Sequence, residues 1–396
     1  MKTSWTEFHR PEELIADIRE GRMVVLVDDE DRENEGDLVL AADHVNAAAI
    51  NFMAAEARGL ICLALAPQQI DRLQLPQMVR DDMNFTPNKT AFTVSIEASS
   101  GVSTGISAAD RAHTIRVASN PQAKASDVHM PGHVFPIRAQ QGGVLKRAGH
   151  TEGSVDLARL AGLNPAAVIC EVMNPDGSMA RVSDLREFAR KHGLKIGTIV
   201  DLIQYRLQNE TLVEEVLEQE LPERFGPDVK VRVFRSRLDN VEHLVLQKGE
   251  IVKDAPALVR MHVENLSRDL LHGLQSAEMT LQQSWRAIEN EGAGVLVLLR
   301  GTARPQILGE VKALIAPEEE AAKMNTMDDR DYGIGAQILR AVGVQRMRLL
   351  SNRPDRRVGL KAFDLEIVEI VPVDLIPSEK EKFHDLESGR GHKSLQ

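Results

Sequence analysis

Met23-Val24-Val25-Leu26-Val27 runs straight into Asp28-Asp29-Glu30-Asp31-Arg32-Glu33-Asn34-Glu35-Gly36-Asp37. A short, continuous apolar run of this kind predicts a buried strand. Seven carboxylates then fall within ten residues. Charge runs are most often solvated loops. Here the run leaves a buried strand, which is where α/β sheets place their ligand crevices. Gly36 permits a tight turn, and Arg32 offers a fixed fork for carboxylate or phosphate. Like charges this dense repel unless a cation joins them, and a hard divalent ion with oxygen ligands is the natural one. Composition alone leaves a metal site and a plain acidic loop both open.

Outward from this junction, helix and strand alternate. Pro11 marks a helix start, with Leu14, Ile15 and Ile18 at helical spacing and Gly21 as the stop. Val45 to Arg58 reads as a helix ended by Gly59, and Leu60 to Ala66 as a strand. Asp184 to His192 reads as a helix stopped by Gly193, with a strand at Lys195 to Val200. The pattern predicts an α/β (α+β) domain with one mixed core. A chain of 396 residues is too long for one ordinary core, so two domains are expected. The Glu-rich stretch from Gln208 to Pro227 is read as a helical linker, giving a first domain at 1–206, a linker at 207–227 and a second domain at 228–377. Strands are predicted there at Lys230–Arg235, His243–Leu246, Leu258–Val263, Val295–Leu299 and Met347–Leu350, and helices at Ala277–Asn290 and Gly335–Val342. Residues 378–396 read as a polar, flexible tail.

The net charge of −11 gives no electrostatic footprint for nucleic acid, though a local cluster can still bind a phosphorylated small molecule. No apolar run approaches the roughly 20 residues that span a bilayer, so no membrane partner is expected. Met1 to Pro11 is polar, without the core of a signal peptide. Two cysteines, Cys62 and Cys170, argue against a disulfide framework and point to the cytoplasm.

Two histidine segments stand out. Arg147-Ala148-Gly149-His150-Thr151-Glu152 follows Gly142-Gly143, so a ligand can approach the backbone closely beside Arg and Thr donors. Pro131-Gly132-His133-Val134-Phe135-Pro136 holds a second His in a rigid turn. Glu171 emerges from the apolar run Ala166 to Cys170, as a satisfied core acid or a catalytic one. Singly, each has a bland explanation. Together they suggest sugar-phosphate chemistry with a metal.

These segments, with Thr104-Gly105-Ile106-Ser107-Ala108-Ala109-Asp110-Arg111 and Arg138 to Leu145, resemble in order the 3,4-dihydroxy-2-butanone 4-phosphate synthase family, over roughly residues 8–206. The resemblance implies a magnesium- or manganese-dependent lyase. It would turn ribulose 5-phosphate into the four-carbon unit of riboflavin with release of formate, acting as a homodimer. It implies Glu33 and His150 as metal ligands. Arg32, Glu33, Asp37, Arg147, Ala148, Gly149, His150, Thr151 and Glu171 would contact substrate. His133 and Glu171 match positions essential for turnover, Asp37 would share the proton transfers, and Cys62 would lie near the site.

Residues 228 to 375 resemble a GTP cyclohydrolase II domain, most clearly at Asp328-Asp329-Arg330-Asp331-Tyr332-Gly333-Ile334-Gly335-Ala336-Gln337 and at Arg346 to Asn352. Asp328 and Arg330 match that family's acid-base and nucleophile positions. Its three zinc cysteines are replaced by Asn265, Ser276 and Glu278. The segment Arg300-Gly301-Thr302-Ala303-Arg304-Pro305 also departs from it, a GTP-contacting lysine reads Arg356, and the stretch from Gly309 to Met327 looks shortened. Tight zinc binding needs thiolate or imidazole ligands, so no zinc is expected and the second half is read as structural or regulatory. The competing reading keeps a cyclohydrolase with a substitute metal site at His262 or His272.

Overall fold

The apolar run before the acidic segment is strand β1, Val24–Val27, buried along its whole length. Its residues alternate between two cores, Val25 and Val27 on one face and Val24 and Leu26 on the other. That explains a strand with no polar face. The computed structural model describes residues 8–30, 32–86, 88–252, 255–264, 281–300, 329–351 and 363–372. The chain divides into two units, Met1–Arg206 and Leu207–Gln396.

In the first unit β1 is joined by β2 (Gly36–Ala41), β3 (Cys62–Leu65), β4 (Ile96–Ala98), β5 (Val128–Arg138), β6 (Ala166–Glu171) and β7 (Lys195–Thr198). They form one mixed sheet in the order β4-β5-β3-β6-β2-β1-β7. One face packs Leu38, Leu40, Leu63 and Val168 against Ile50, Met53, Ile115 and Leu185, from helices α2 (Ala47–Phe52), α4 (Ala108–Ser119) and α6 (Val182–His192) and the turn after α2. The other face packs Leu26, Val39 and Ile169 against Leu14, Ile18, Leu157 and Leu202, from α1 (Pro11–Arg19), α5 (His150–Leu160) and α7 (Ile199–Asn209). Helix α3 is Pro67–Arg72. Asp37 pairs with Leu26 on one side and Glu171 on the other, so both acids lie on neighbouring internal strands, at the same end of them.

The second unit holds β8 (Val213–Glu220), β9 (Val229–Ser236), β10 (Glu242–Lys248), β11 (Ala257–Val263), β12 (Gly294–Leu299), β13 (Arg346–Leu350) and β14 (Glu366–Val371). Their order is β14-β13-β11-β12-β10-β9-β8. Helices α8 (Leu281–Glu291) and α9 (Asp329–Ala341) are described with it, and Leu258, Leu296 and Leu350 pack with Ile288 of α8.

Three sequence readings need correction. Residues 207–227 are not a helical linker. They hold the end of α7 and the edge strand β8, which pairs with β9 from Val213↔Ser236 to Glu220↔Lys230. Val200 is the second residue of α7 rather than the end of a strand. The helix after Val45 widens into a π turn at Met53–Ala57 and is ended by Arg58, left-handed at φ 70, and not by Gly59. Gly59 has another reason to lack a side chain. A Cβ there would stand 2.3 Å from the Glu171 carbonyl oxygen and 2.7 Å from Glu171 Oε2. The 378–396 tail lies outside the described residues.

Candidate active site

The acidic segment is folded around one of its own carboxylates. Asp28 is buried, and its oxygens accept from Glu33 N at 3.2 Å, Glu35 N at 2.8 Å and Arg32 Nη1 at 2.7 Å. Arg181, at the start of α6, ties the loop from outside by donating to Glu33 O at 2.9 Å and to Asn34 O. A solvated loop needs none of these bonds.

The fold turns Glu33 toward α5. Its carboxylate accepts from Arg32 Nη1 at 2.7 Å and from Asn88 Nδ2 at 2.5 Å, and lies 3.6 Å from His150 Nδ1. His150 Nδ1 is also 3.9 Å from Asp37 Oδ1. Asp28, Glu33 and His150 offer ligand atoms that all lie within 4.8 Å of one another. Two atoms here, His150 Nε2 and Asp37 Oδ1, are buried without a hydrogen-bond partner. Each such atom costs roughly 1–3 kcal/mol, so two at one place call for a ligand. Hard carboxylate oxygens with one imidazole suit a divalent cation.

The electrostatics follow from crowding. Contact with His150 holds Glu33 down at about 2 against the opposing effect of burial, with Arg32 assisting. Burial pushes the Asp37 carboxyl up, and His150 offsets it only in part. Burial also opposes a charged His150, but Asp37, Glu33 and Asp28 outweigh it and raise the imidazole. Cys62, on β3, is buried, and burial followed by the charges of Glu171 and Asp37 drives its thiol up.

Glu171 closes β6, with Oε2 accepting from Leu60 N at 2.8 Å. Cys62 stands between Phe135 of β5 and Ile169 of β6, so His133, two residues before Phe135, and Glu171, two residues after Ile169, lie toward the same end of those strands. His133 does not join the Glu33–Asp37–His150 group; its partner is Glu97. Gly149 caps α5, and by position the His150 and Thr151 amides have no helical acceptor. Arg147 stands before that helix start, donating to Glu152 at 2.6 Å, Asn88 O at 3.1 Å and Thr90 Oγ1 at 3.3 Å. Ala148 links Arg147 to the cap.

Sequence reasoning assigned no site role to Asp28, Asn88, Glu97, Glu152 or Arg181. Asp28 and Glu152 stood inside motifs already recognised. Arg181 is 148 residues from Glu33, and nothing local marks it. In the second unit, His262 lies on β11 opposite Leu298, and Arg300 donates through its backbone N to His243 Nδ1 at 3.1 Å. Asn265, His272, Ser276, Glu278, residues 301–305, the stretch from Gly309 to Met327, Asp328 and Arg356 lie outside the described residues.

Residues 12–205 match the family model of 3,4-dihydroxy-2-butanone 4-phosphate synthase, and residues 214–372 that of GTP cyclohydrolase II. The riboflavin biosynthesis protein RibBA of Aquifex aeolicus is 50% identical over 96% of this chain and 95% of its own length. A 3,4-dihydroxy-2-butanone 4-phosphate synthase of Pseudomonas aeruginosa is 47% identical over 92% of this chain and 98% of its own. Among solved structures, RibBX from A. baumannii, a two-domain 3,4-dihydroxy-2-butanone 4-phosphate synthase, matches with a TM-score of 0.74 and 46% identity, over 92% of this chain and 99% of that one. The chain therefore belongs to the 3,4-dihydroxy-2-butanone 4-phosphate synthase family, lyases of riboflavin biosynthesis, in a two-domain form whose second domain has the GTP cyclohydrolase II fold.

Proposed function

We propose that the first unit converts D-ribulose 5-phosphate into L-3,4-dihydroxy-2-butanone 4-phosphate and formate, and that the second unit is silent as a GTP cyclohydrolase. The observation that carries the first part is the meeting of Glu33, Asp37 and His150 around two buried, unpartnered polar atoms. Glu33 and His150 hold magnesium, or manganese, with Asp28 behind them. When bound, the ion supplies Lewis-acid stabilisation of negative charge on the sugar oxygens.

The remaining roles belong to side chains. Arg147, Thr151 and the start of α5 at Ala148-Gly149-His150 bind the phosphate, because unspent amides at a helix N-terminus favour an anion. Arg32 orients the sugar from beside Glu33. A base removes a proton next to the carbonyl to give an enediol, and an acid protonates the leaving hydroxyl. The skeleton then rearranges, and the water lost in dehydration is returned as formate leaves, so the atoms balance without an oxidant. Asp37, Glu171 and His133 share these transfers. Asp37, raised by burial, suits a group that both gives and takes a proton near neutrality.

The silence of the second unit is supported by chemistry. The chain has two cysteines, both on strands of the first unit, so a three-thiolate zinc site cannot form. The Pseudomonas aeruginosa and A. baumannii proteins, matched nearly end to end, carry synthase names alone. We further propose a cytoplasmic homodimer. Leu60, Ile106 and Met130 are exposed at 44%, 55% and 43%; Leu60 donates its backbone N to Glu171, Ile106 follows the Gly105 that closes on His133, and Met130 lies three residues before His133, where a second copy can cover them. Among the described residues no helix is long and apolar enough to cross a membrane.

The test is formate release by the purified protein with magnesium, on ribulose 5-phosphate and on GTP separately. Formate from the sugar phosphate alone is expected. Formate from GTP, with zinc found by elemental analysis, would return the second unit to the cyclohydrolases. Light scattering checks the dimer.

A further inference from the structure

We infer that Glu97 is a positioning residue that fixes the tautomer of His133 and leaves Nε2 as the atom exchanging protons with substrate. The inference rests on the role given to His133 above. Glu97 lies on β4, His133 on β5, and the ladder between them is irregular. Ile96 pairs with Val134 while Glu97 pairs with His129, so residues 130–133 are looped out. The loop brings His133 back over the Glu97 side chain, with Nδ1 2.7 Å from Oε2. A carboxylate only accepts, so Nδ1 carries the proton. The ring is otherwise exposed, at 44%, and Nε2 is presented outward as the base.

The carboxylate is itself held. Oε1 accepts from Thr114 Oγ1 at 3.0 Å, and that hydroxyl oxygen already accepts from Ala98 N at 3.1 Å. The Thr114 proton is therefore committed to Glu97. Above the pair lies Gly105, at φ +87. A Cβ there would stand 1.9 Å from Glu97 Oε2 and 2.6 Å from His133 Nδ1, so only glycine closes over the contact. Asp110 secures this cover, with Oδ2 accepting from Gly105 N at 3.1 Å and Ser103 Oγ at 2.7 Å. The segment Thr104 to Asp110, recognised in the sequence without a chemical role, thus has one. It walls a carboxylate–imidazole pair against competing partners.

Glu97→Gln tests this with little change of volume. Thr114 has a proton to donate and takes the amide oxygen, which turns the NH2 toward His133. Nδ1 must then accept, and the proton moves to Nε2, the wrong tautomer for a base. On the magnesium-loaded full chain, kcat for formate release should fall about 100-fold or more with KM within about twofold. Imidazole 15N spectra, with His133 assigned by its loss in His133→Asn, should move from the Nδ1–H to the Nε2–H pattern. Glu97→Asp, which keeps the charge and shortens the reach, should fall between. An unchanged unfolding temperature shows that the variants are folded. If His133→Asn is inactive while Glu97→Gln keeps its kcat or its tautomer, the role of Glu97 fails alone. If His133→Asn turns over normally, the role of His133 fails and takes this one with it.

Discussion

The first unit buries Asp28, Asp37, Glu152, Asp156, Arg206 and His150, whereas the buried polar residues described in the second are Ser236, His243, Gln247 and Ser284. Both units are built on a seven-stranded mixed sheet with helices packed against it. Burying an ion costs several kcal/mol unless partners compensate. Among the described residues the second unit carries no buried carboxylate. Two sheets of equal strand number thus carry different buried charge, and chemistry resides in the site and not in the fold.

The largest effect that can break this contrast comes from Glu33 and His150. Glu33→Ala or His150→Ala should lower formate release from ribulose 5-phosphate by about 1,000-fold or more, through loss of both metal and substrate contacts. Calorimetry should find no magnesium binding in either variant. The corresponding change in the second unit, His243→Ala, should leave synthase turnover within about twofold and cost only the stability of a buried ring. Equal losses from both would end the division of labour.

Next in size is the support of the acidic loop. Arg181→Ala removes the guanidinium that donates to Glu33 O and Asn34 O, yet leaves the backbone and Asp184 that start α6. Outer-shell changes of this kind weaken metal binding about 10–100-fold. Magnesium affinity should fall by that much, with activity recovered at high magnesium. A loss that excess magnesium does not reverse would show that Arg181 maintains the fold instead.

Arg181 also marks how far the sequence could be read. The buried strand Met23–Val27, the acidic segment and the histidine motifs were legible because each is local in sequence and strong in character. Contacts from Arg181, Asn88 and Glu97 were not, since what they touch is set by the sheet order. The sheet brings β6 between β3 and β2 and so sets Glu171 opposite Asp37. No spacing along the chain encodes that. The end of the helix after Val45 was misread for a related reason. Gly59 looked like a cap, but its missing side chain makes room for Glu171, 112 residues later by number.

A smaller effect separates the two buried histidines. His150 is raised, because Asp37, Glu33 and Asp28 outweigh burial. His243 is lowered, because burial, with Arg300, outweighs Asp239. Metal takes the neutral imidazole, so under the proposed ligation magnesium should displace a proton from His150 at neutral pH. Apparent affinity should rise about tenfold per pH unit until the raised pKa is passed. Calorimetry in buffers of different ionisation enthalpy should report about one proton released per ion. No release at neutral pH would mean that His150 is already neutral in the metal-free protein. His243 stays neutral throughout this range and should add nothing to the pH dependence.

The smallest effect concerns the strand that the sequence hid. β8 reads Val213-Glu214-Glu215-Val216-Leu217-Glu218-Gln219-Glu220, a composition rich in good helix formers. Past Val213 its side chains are all exposed, so no two-residue alternation betrays a strand. What fixes it is its partner β9, through the ladder and through Arg232, whose Nε and Nη2 reach the two Glu215 oxygens at 2.6 and 2.9 Å. The Arg232 side chain is only 11% exposed and also lies 5.5 Å from the Phe234 ring centre. Exposed ion pairs are worth up to about 1 kcal/mol, and a bidentate, half-covered one sits at the upper end of that range. Arg232→Met keeps the apolar stem and should cost about 1 kcal/mol in chemical unfolding of the full chain, with no change in formate release. A larger cost would mean that β8 is held chiefly by charge. No cost would leave the backbone ladder as the sole reason that a Glu-rich segment became a strand and not a helix.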